Sequence, residues 1–221
     1  IGGTLSVTGN VVSPITLGGT TPTLTIGDAG AEDTKIVFDG NAQDYHIGLD
    51  DSADTLVIGK GSALGTTTAM SFDANGIITK PLQPAFLANV GTQQNNIATG
   101  SNVTVLLNTE IFDQNADYNT SNYTFTAPVT GRYFLAFNLS IAAIDAGASF
   151  HQFKIATSNR THAATYSEAG STDPSYSIFN YSVITDMDAA DTATVQFFQN
   201  DGAAQADIRA TESTFSGYLV A

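Results

Sequence analysis

The chain has 221 residues, of which 21 are acidic and 7 are basic, so its formal net charge is −14. A surplus of this sign disfavours nucleic acid and anionic membrane surfaces as partners, and no apolar run approaches the roughly 20 residues of a membrane-spanning helix. Cysteine is absent, which excludes disulfides and thiolate metal sites. Only 13% of the residues are charged, and the abundance of Thr, Asn, Ser and Gly is typical of an all-β extracellular or virion protein.

Residues 1–80 repeat a pattern of very short strands separated by glycine and Asp/Asn turns. The sequence at 23–27 recurs at 55–59, the Phe-Asp pair at 38–39 returns at 72–73, and 4–7 is a fainter relative. Such repeats are typical of arrays and fibres, in which one unit cannot bury its apolar face alone. Because so few apolar residues cannot offset the ordering entropy of one chain, we predict an interchain β shaft. A small, loop-rich monomeric β domain is the alternative.

Residues 81–221 form a second predicted domain, behind the stiff boundary Lys-Pro-Leu-Gln-Pro at 80–84. Alternating apolar positions and regular turn signals predict a β-sandwich. Residues 123–134 stand out, because two alternating runs flank Pro-Val-Thr-Gly, and we predict a hairpin there. The predicted strands are 85–90, 103–107, 123–127, 132–144, 149–157, 175–184, 192–199 and 214–220.

Several local motifs of this second domain resemble those of one known family. The sequence Phe-Thr-Ala-Pro-Val-Thr-Gly-Arg-Tyr-Phe at 125–134 and the closing run Ser-Thr-Phe-Ser-Gly-Tyr-Leu-Val at 213–220 are the most specific. Similar segments precede and separate them at 85–88, 105–118, 153–155 and 188–195. Their order resembles the globular head of complement component one-q, within the tumour-necrosis-factor-like superfamily.

This resemblance implies a ten-stranded jelly roll that assembles as a tight homotrimer and binds rather than catalyses. It implies that closing-strand aromatics, Phe215 and Tyr218, pack at or near subunit contacts. Some members hold calcium in a loop, and the corresponding positions are Glu168 and Asp173. The usual paired aspartates are not reproduced, so a solvated polar loop is the alternative to a calcium site there.

The repeats at 1–10 and 35–41 resemble shafts of bacteriophage fibre proteins, especially those of marine phages. Together the two resemblances predict a non-enzymatic trimeric virion fibre, of tail or head, whose jelly-roll head binds a host-surface glycan or protein. The chain starts at Ile1, without a methionine or leader, so we expect a fragment or processed product that joins other virion proteins through a preceding region. Alternatives are a capsid-attached decoration or spacer, and a secreted lectin-like adhesin.

Candidate contact residues come from turn-rich segments with Tyr, Asn and polar side chains. Tyrosine rings stack on sugars and amides donate and accept hydrogen bonds, which suits glycan or polar-surface recognition. We expect the binding surface to comprise Tyr118, the loop 159–173 and the loop 200–205. The individual candidates are Tyr118, Asn159, Arg160, Tyr166, Asn200, Asp201 and Gln205.

No residue pattern predicts a catalytic or histidine-based metal site. His46, His151 and His162 lack the local spacing of metal ligands, and we expect His46 on the solvent side of its strand. A carboxylate set at Asp186, Asp188 and Asp191 fits a turn before a strand better than a glycosidase pair. An enzyme acting on surface polysaccharide is therefore the weakest alternative.

Overall fold

The computed structural model describes residues 8–9, 11–168 and 170–221. These residues form seventeen strands and no helix, so none of them belongs to a helix that could cross a membrane. The chain divides into a first unit that ends at Thr79 and a second unit that runs from Lys80 to Ala221.

The strands of the first unit form one antiparallel sheet, in the order in which they follow one another along the chain. Short polar turns permit this meander: Asp73, for example, accepts the N–H groups of Asn75 (2.9 Å) and Ile77 (2.8 Å) between the last two strands. The strands are β1 (Thr34–Phe38), β2 (Tyr45–Asp50), β3 (Thr55–Lys60), β4 (Thr68–Phe72) and β5 (Ile78–Thr79).

Two predictions for this unit need correction. The repeat at 55–59 lies within β3, but its relative at 23–27 forms no strand; the relative at 4–7 lies outside the described residues. His46 is buried rather than on the solvent side, because its ring lies on the face of the sheet that the segment 61–67 covers, with Nδ1 2.8 Å from the carbonyl oxygen of Gly61.

The second unit is built from two antiparallel sheets. One has the order β13-β12-β15-β10-β9, with β7 added on β15; the other, which we call the β11 sheet, has the order β14-β11-β17-β6-β8, with β16 added on β11. The strands are β6 (Ala85–Asn89), β7 (Val103–Thr104), β8 (Thr109–Asp113), β9 (Tyr118–Asn119), β10 (Thr124–Thr126), β11 (Gly131–Ala142), β12 (Phe150–Thr157), β13 (Thr161–Tyr166), β14 (Tyr176–Met187), β15 (Thr192–Asn200), β16 (Asp207–Ile208) and β17 (Thr214–Leu219).

A hydrophobic core lies between these two sheets. Alternate residues of β11 and β15 point inward, and Tyr133, Leu135 and Phe197 are fully buried. Phe86 of β6 stacks on Phe125 of β10, with ring centroids 4.8 Å apart. Aromatic contacts of this kind join one sheet to the other and add to the burial of apolar area.

The predicted hairpin at 123–134 is wrong in its topology. Strands β10 and β11 both exist, but β10 pairs with β9 and β15, whereas β11 pairs with β14 and β17. Residues 127–130 therefore carry the chain from one sheet to the other. The crossing is held by backbone bonds such as Ala127 N–H to Asp191 O (2.8 Å) and by the hydroxyl of Tyr133, which donates to Val129 O (2.7 Å).

Other predicted boundaries also differ from the structure. Strand β13 occupies residues 161–166 of the predicted loop 159–173, and β7 ends at Thr104 rather than at residue 107. The strands β8, β9 and β16 were not predicted, because they are short or mostly exposed and so lack a clear alternation of apolar residues.

Candidate functional site

Loops converge at one end of the second unit. The chain enters at the other end, where Leu219 N–H donates to Pro84 O (3.1 Å), and β11 runs from there to Ala142. At the opposite end, β12 begins beside the end of β15, because Phe150 pairs with Asn200. We call this end the far end; it is formed by the loop 145–149, by residues 167–168 and 170–173, and by the loop 200–206.

The buried carboxylate of Asp145 joins two of these loops. Gly147 N–H donates to its Oδ1 (2.7 Å), and the N–H groups of Ala203 (2.8 Å) and Ala204 (2.9 Å) donate to its Oδ2. Burial by itself would raise the pKa of Asp145, but these three donors favour the anion and hold the pKa below its usual value. The loop 200–206 thus has a fixed backbone.

Further hydrogen bonds link the exposed polar side chains around this carboxylate. Asp173 accepts the N–H of Ala146 (2.8 Å), and Asp201 accepts the hydroxyl of Ser149 (3.0 Å). The hydroxyl of Tyr166 donates to Glu168 Oε2 (2.6 Å), a bond that raises the pKa of the phenol. The far end is therefore an ordered acidic surface of carboxylates, hydroxyls and backbone amides.

A buried polar pair lies beneath this surface. His151 and Gln199 are opposite each other on β12 and β15, and both are fully buried. The imidazole stacks on Phe197 with centroids 5.8 Å apart, and neither its ring nitrogens nor Gln199 Oε1 has a hydrogen-bond partner. Burial lowers the pKa of His151, although the negative charges of Asp145 and Glu168 partly oppose that shift.

The structure brings together only some of the predicted contact residues. Tyr166 ends β13 beside His151, Asn200 ends β15, and Asp201 follows it directly. Asn200 Nδ2 donates to Asp201 Oδ2 (2.9 Å), and Gln205 is exposed in the same loop. These four side chains all belong to the far end.

Asn159 and Arg160 lie at the other end of the second unit, so the structure does not bring them together with the other candidates. Strand β13 carries the chain from one end to the other between them and Tyr166. Asn159 Nδ2 donates to Asp191 Oδ2 (2.7 Å), and Arg160 forms an exposed ion pair with Asp186 (2.9 Å).

Tyr118 is a core residue, which corrects its prediction as a contact side chain. Its ring stacks on Phe86 (5.0 Å) and its hydroxyl donates to Leu107 O (2.9 Å). Burial raises the pKa of this phenol. A recess of about 430 Å³ borders it, with Glu110 and Asp117 on its rim, but the hydroxyl is already occupied inside the protein.

The predicted calcium ligands use oxygens in contacts with the protein itself. Glu168 accepts the hydroxyl of Tyr166, and Asp173 accepts the N–H of Ala146. Among the described residues, no group of three or more His, Cys, Asp or Glu side chains is arranged to hold a metal ion. Calcium binding at these two residues stays a prediction.

An apolar strip occupies the outward face of the β11 sheet. Phe134 lies between Ile184 on β14 and Tyr218 on β17, and Leu87 lies beside Phe112 on the neighbouring strands. Ile184, Phe112 and Tyr218 are about half exposed. We call these five residues the outer band, and such a contiguous exposed patch is typical of an assembly surface.

The predicted subunit-contact aromatics of the closing strand have different environments. Tyr218 belongs to the outer band, with its ring 5.3 Å from that of Phe134. Phe215 is fully buried and packs edge-on against Phe86 at 5.0 Å. Its placement at a subunit contact was wrong, because residues 215 and 218 on one strand face opposite sides of the sheet.

Sequence reasoning did not single out the other members of the outer band. A signal was present, because the predicted strand 132–144 carries apolar side chains on both faces, Phe134 and Ala136 outward as well as Tyr133 and Leu135 inward. A strand with two apolar faces indicates burial on both sides. The polar pair beneath the far end gave no comparable signal.

Two antiparallel sheets around one core, with loops gathered at the far end, define an all-β, jelly-roll-like domain. The C1q domain family matches residues 85–220. The chain therefore belongs to the C1q domain family, as its motifs predicted. Domains of this class are generally non-enzymatic, typically form homotrimers and bind receptors.

Solved structures of similar shape cover the same part of the chain. The globular domain of zebrafish complement 1qA protein is 18% identical, covering 63% of this chain and 98% of that one, with a TM-score of 0.46. Murine APRIL is 9% identical, covering 62% of this chain and 99% of that one, with a TM-score of 0.46. The PRD1 vertex protein P5 is 9% identical, covering 63% of this chain and 99% of that one, with a TM-score of 0.45. No curated protein matches the chain.

Proposed function

We propose that this chain is a non-enzymatic, homotrimeric viral fibre protein whose C1q domain recognises a host-surface glycan or protein. The observation that carries the proposal is the combination, on one domain, of an apolar outer band and a polar far end. The band suits contacts between identical domains, whereas the far end suits a hydrophilic ligand. Residues 1–80 would serve as the shaft that presents this head.

The charge pattern around the outer band supports its burial between copies. Its members carry no charge, although the chain as a whole has a net charge of −14. Contacts through uncharged side chains let acidic subunits associate without placing like charges against each other. Arg132 and Asp186, on paired positions next to the band, are charges of opposite sign that would lie at the rim of such a contact.

The far end supports ligand recognition because its polar groups are held in place before a ligand arrives. The carboxylate of Asp145 fixes the loop 200–206, and Tyr166 is oriented by Glu168. Preorganised donors and acceptors reduce the entropy lost on binding. The ligand class that fits is neutral and hydroxyl-rich, such as an uncharged glycan, since an anionic ligand would meet the carboxylates of Asp173 and Asp201.

Binding to host envelope material tests the recognition part of the proposal. The triple variant Tyr166→Ala, Asn200→Ala, Gln205→Ala removes far-end contacts, and Asn159→Ala is the matched control at the other end. We expect the triple variant to lose at least about ten-fold in affinity and the control to keep wild-type binding. Equal binding by both would overturn the far-end assignment, and failure of the wild type to bind would overturn the recognition role.

Native mass, measured by light scattering, tests the assembly part. The wild type should have three times the 23.0 kDa mass of one chain, and Phe134→Glu with Ile184→Glu should reduce it to one. Val129→Glu is the control, because Val129 is also exposed but lies outside the band. A wild-type mass of one chain at micromolar concentration would overturn the proposed trimeric fibre.

A further inference from the structure

One face of the first unit's sheet is almost entirely apolar and open. Paired strands place side chains in rows on this face, since residues opposite each other in a ladder point to the same side. One row runs from Ile36 through Ile47 and Ile58 to Met70, and a second from Leu49 through Leu56 and Phe72 to Ile78. We call this the open face; its apolar members are Ile36, Phe38, Tyr45, Ile47, Leu49, Leu56, Ile58, Met70, Phe72 and Ile78.

The opposite face of the same sheet is covered by the chain itself. His46 and Val57 are buried there, and the ring of His46 reaches the carbonyl of Gly61. A Cβ added to Gly48 would lie 2.9 Å from the side chain of Leu64, so the segment 61–67 packs directly on this side. The first unit has thus closed one face with its own residues and left the more apolar one exposed.

We propose that the open face is closed by the open faces of two other copies of this chain, giving a three-sided hydrophobic core along the first unit. The proposal rests on the proposed function for its threefold assembly. It adds the surface and the partner that hold the first unit together. A second copy fits because the partner must be apolar and available wherever this chain is.

The size of the open face shows what its closure requires. A five-stranded sheet, most of whose strands have five or six residues, presents a face of roughly 400 Å². Three such faces closing on one another would remove roughly 1,200 Å² from water in all, or roughly 400 Å² for each pair of copies. This is less than a free-standing specific interface needs, so the first unit would close only where the C1q domains already hold three copies together.

Charge and connectivity favour the same arrangement. Within the described rows of the open face, Lys60 is the one charged side chain, at the end of the row through Phe38 and Tyr45. Acidic copies can therefore meet there without carboxylates in contact. Only residues 80–84 separate β5 from β6, so a trimer of C1q domains would hold three open faces at high effective concentration.

The absence of cysteine from the chain permits a sharp test in the full-length protein. Ile36 and Val37 are neighbours on β1 that point to opposite faces, and in a single chain they are 40% and 37% exposed. Ile36→Cys and Val37→Cys are therefore matched probes, whose labelling by a charged maleimide is compared with that of the unfolded chain. We expect Cys at 36 to react at least ten-fold more slowly than Cys at 37.

The native mass of the same two variants separates this proposal from the proposed function. Particles of three chains in which Cys at 36 is protected from the maleimide, and Cys at 37 is not, support the proposal. Three-chain particles with equal labelling overturn it and leave the trimeric head in place. One-chain particles with equal labelling overturn both. One-chain particles with protection at 36 show that the chain's own preceding segment, which reaches this face at Ile26, is the occupant, and that outcome also rejects the proposal.

Discussion

At the scale of single residues, Gly202 is a position where a small change has a large structural consequence. Its φ is +82°, a region that other residues rarely adopt, and an added Cβ would overlap Oδ2 of Asp145. We expect Gly202→Ala to lower the free energy of unfolding by roughly 3 kcal/mol, because it combines backbone strain with a clash at a buried carboxylate.

Gly100→Ala is the matched control for this prediction. Gly100 has a similar φ of +73° but open space around it, so its substitution should cost only about 1 kcal/mol. Urea denaturation followed by intrinsic tyrosine fluorescence measures both. Equal losses for the two variants would mean that backbone strain alone acts at Gly202 and that its contact with Asp145 contributes nothing.

We expect the buried His151 to make the folded protein less stable in mild acid. Burial holds its pKa in the folded protein below the ordinary value of about 6.5. Above that pH both states are neutral at this residue, whereas below it the unfolded chain binds a proton that the folded protein resists, so stability falls. Asp145, Glu168 and the phenol of Tyr166 are the titratable groups around the ring.

The variant His151→Phe tests this prediction, since it removes the titration and keeps an aromatic ring against Phe197. Melting temperatures of wild type and variant should diverge as the pH is lowered from 7 to 5, with the wild type falling faster. His162→Gln removes a half-buried histidine from the same unit as a control. Parallel curves for wild type and His151→Phe would show that His151 does not set the acid sensitivity.

At the scale of elements, the loops of the far end depend on one carboxylate. Asp145→Ala would leave the N–H groups of Gly147, Ala203 and Ala204 without their acceptor, at a cost of about 1–3 kcal/mol for each group that stays buried. We expect the amides of residues 203 and 204 to exchange with solvent at least ten-fold faster. Asp201→Ala loses bonds from the side chains of Ser149 and Asn200 at an exposed site and none from these amides, so it should leave them unchanged.

The strands of the second unit show which structural information the sequence carries locally. Alternation in residues 132–144 and 149–157 predicted β11 and β12 well, because inward positions must be apolar wherever the strand lies. The same alternation in 123–127 identified β10 but not its partners, since pairing depends on where the chain goes after Pro128. Periodicity and turn signals indicated a β-sandwich, and the family motifs supplied its jelly-roll class, which periodicity could not.

The candidate site was harder to predict than the fold. Polar loop residues look alike in sequence, so Asn159 and Tyr166 were assigned to one surface although β13 separates them. Tyr118 looked like a contact residue because Asp and Asn surround it, yet its ring fills the core. The polarity of neighbours in sequence says little about the direction in which one side chain points.

At the scale of the whole molecule, the outer band and the far end have different consequences for binding. In the proposed trimer three far ends would face one surface, so the second and third contacts would form at high effective concentration and raise apparent affinity by roughly 10²–10⁴-fold. The affinity of each far end for a soluble ligand does not depend on assembly. Avidity and intrinsic affinity can therefore be separated by substitutions in the band.

The double variant Phe134→Glu, Ile184→Glu should bind host envelope material at least about 100-fold more weakly than the wild type, because it loses avidity. Its binding of a soluble, single-site fragment of the same material should be unchanged, since both substitutions lie on the outward face of the β11 sheet, away from the loops of the far end. Val129→Glu should behave as the wild type in both assays. If the double variant loses soluble binding as well, the band itself contacts the ligand; if it loses neither, one far end per particle is sufficient and threefold presentation has no role in attachment.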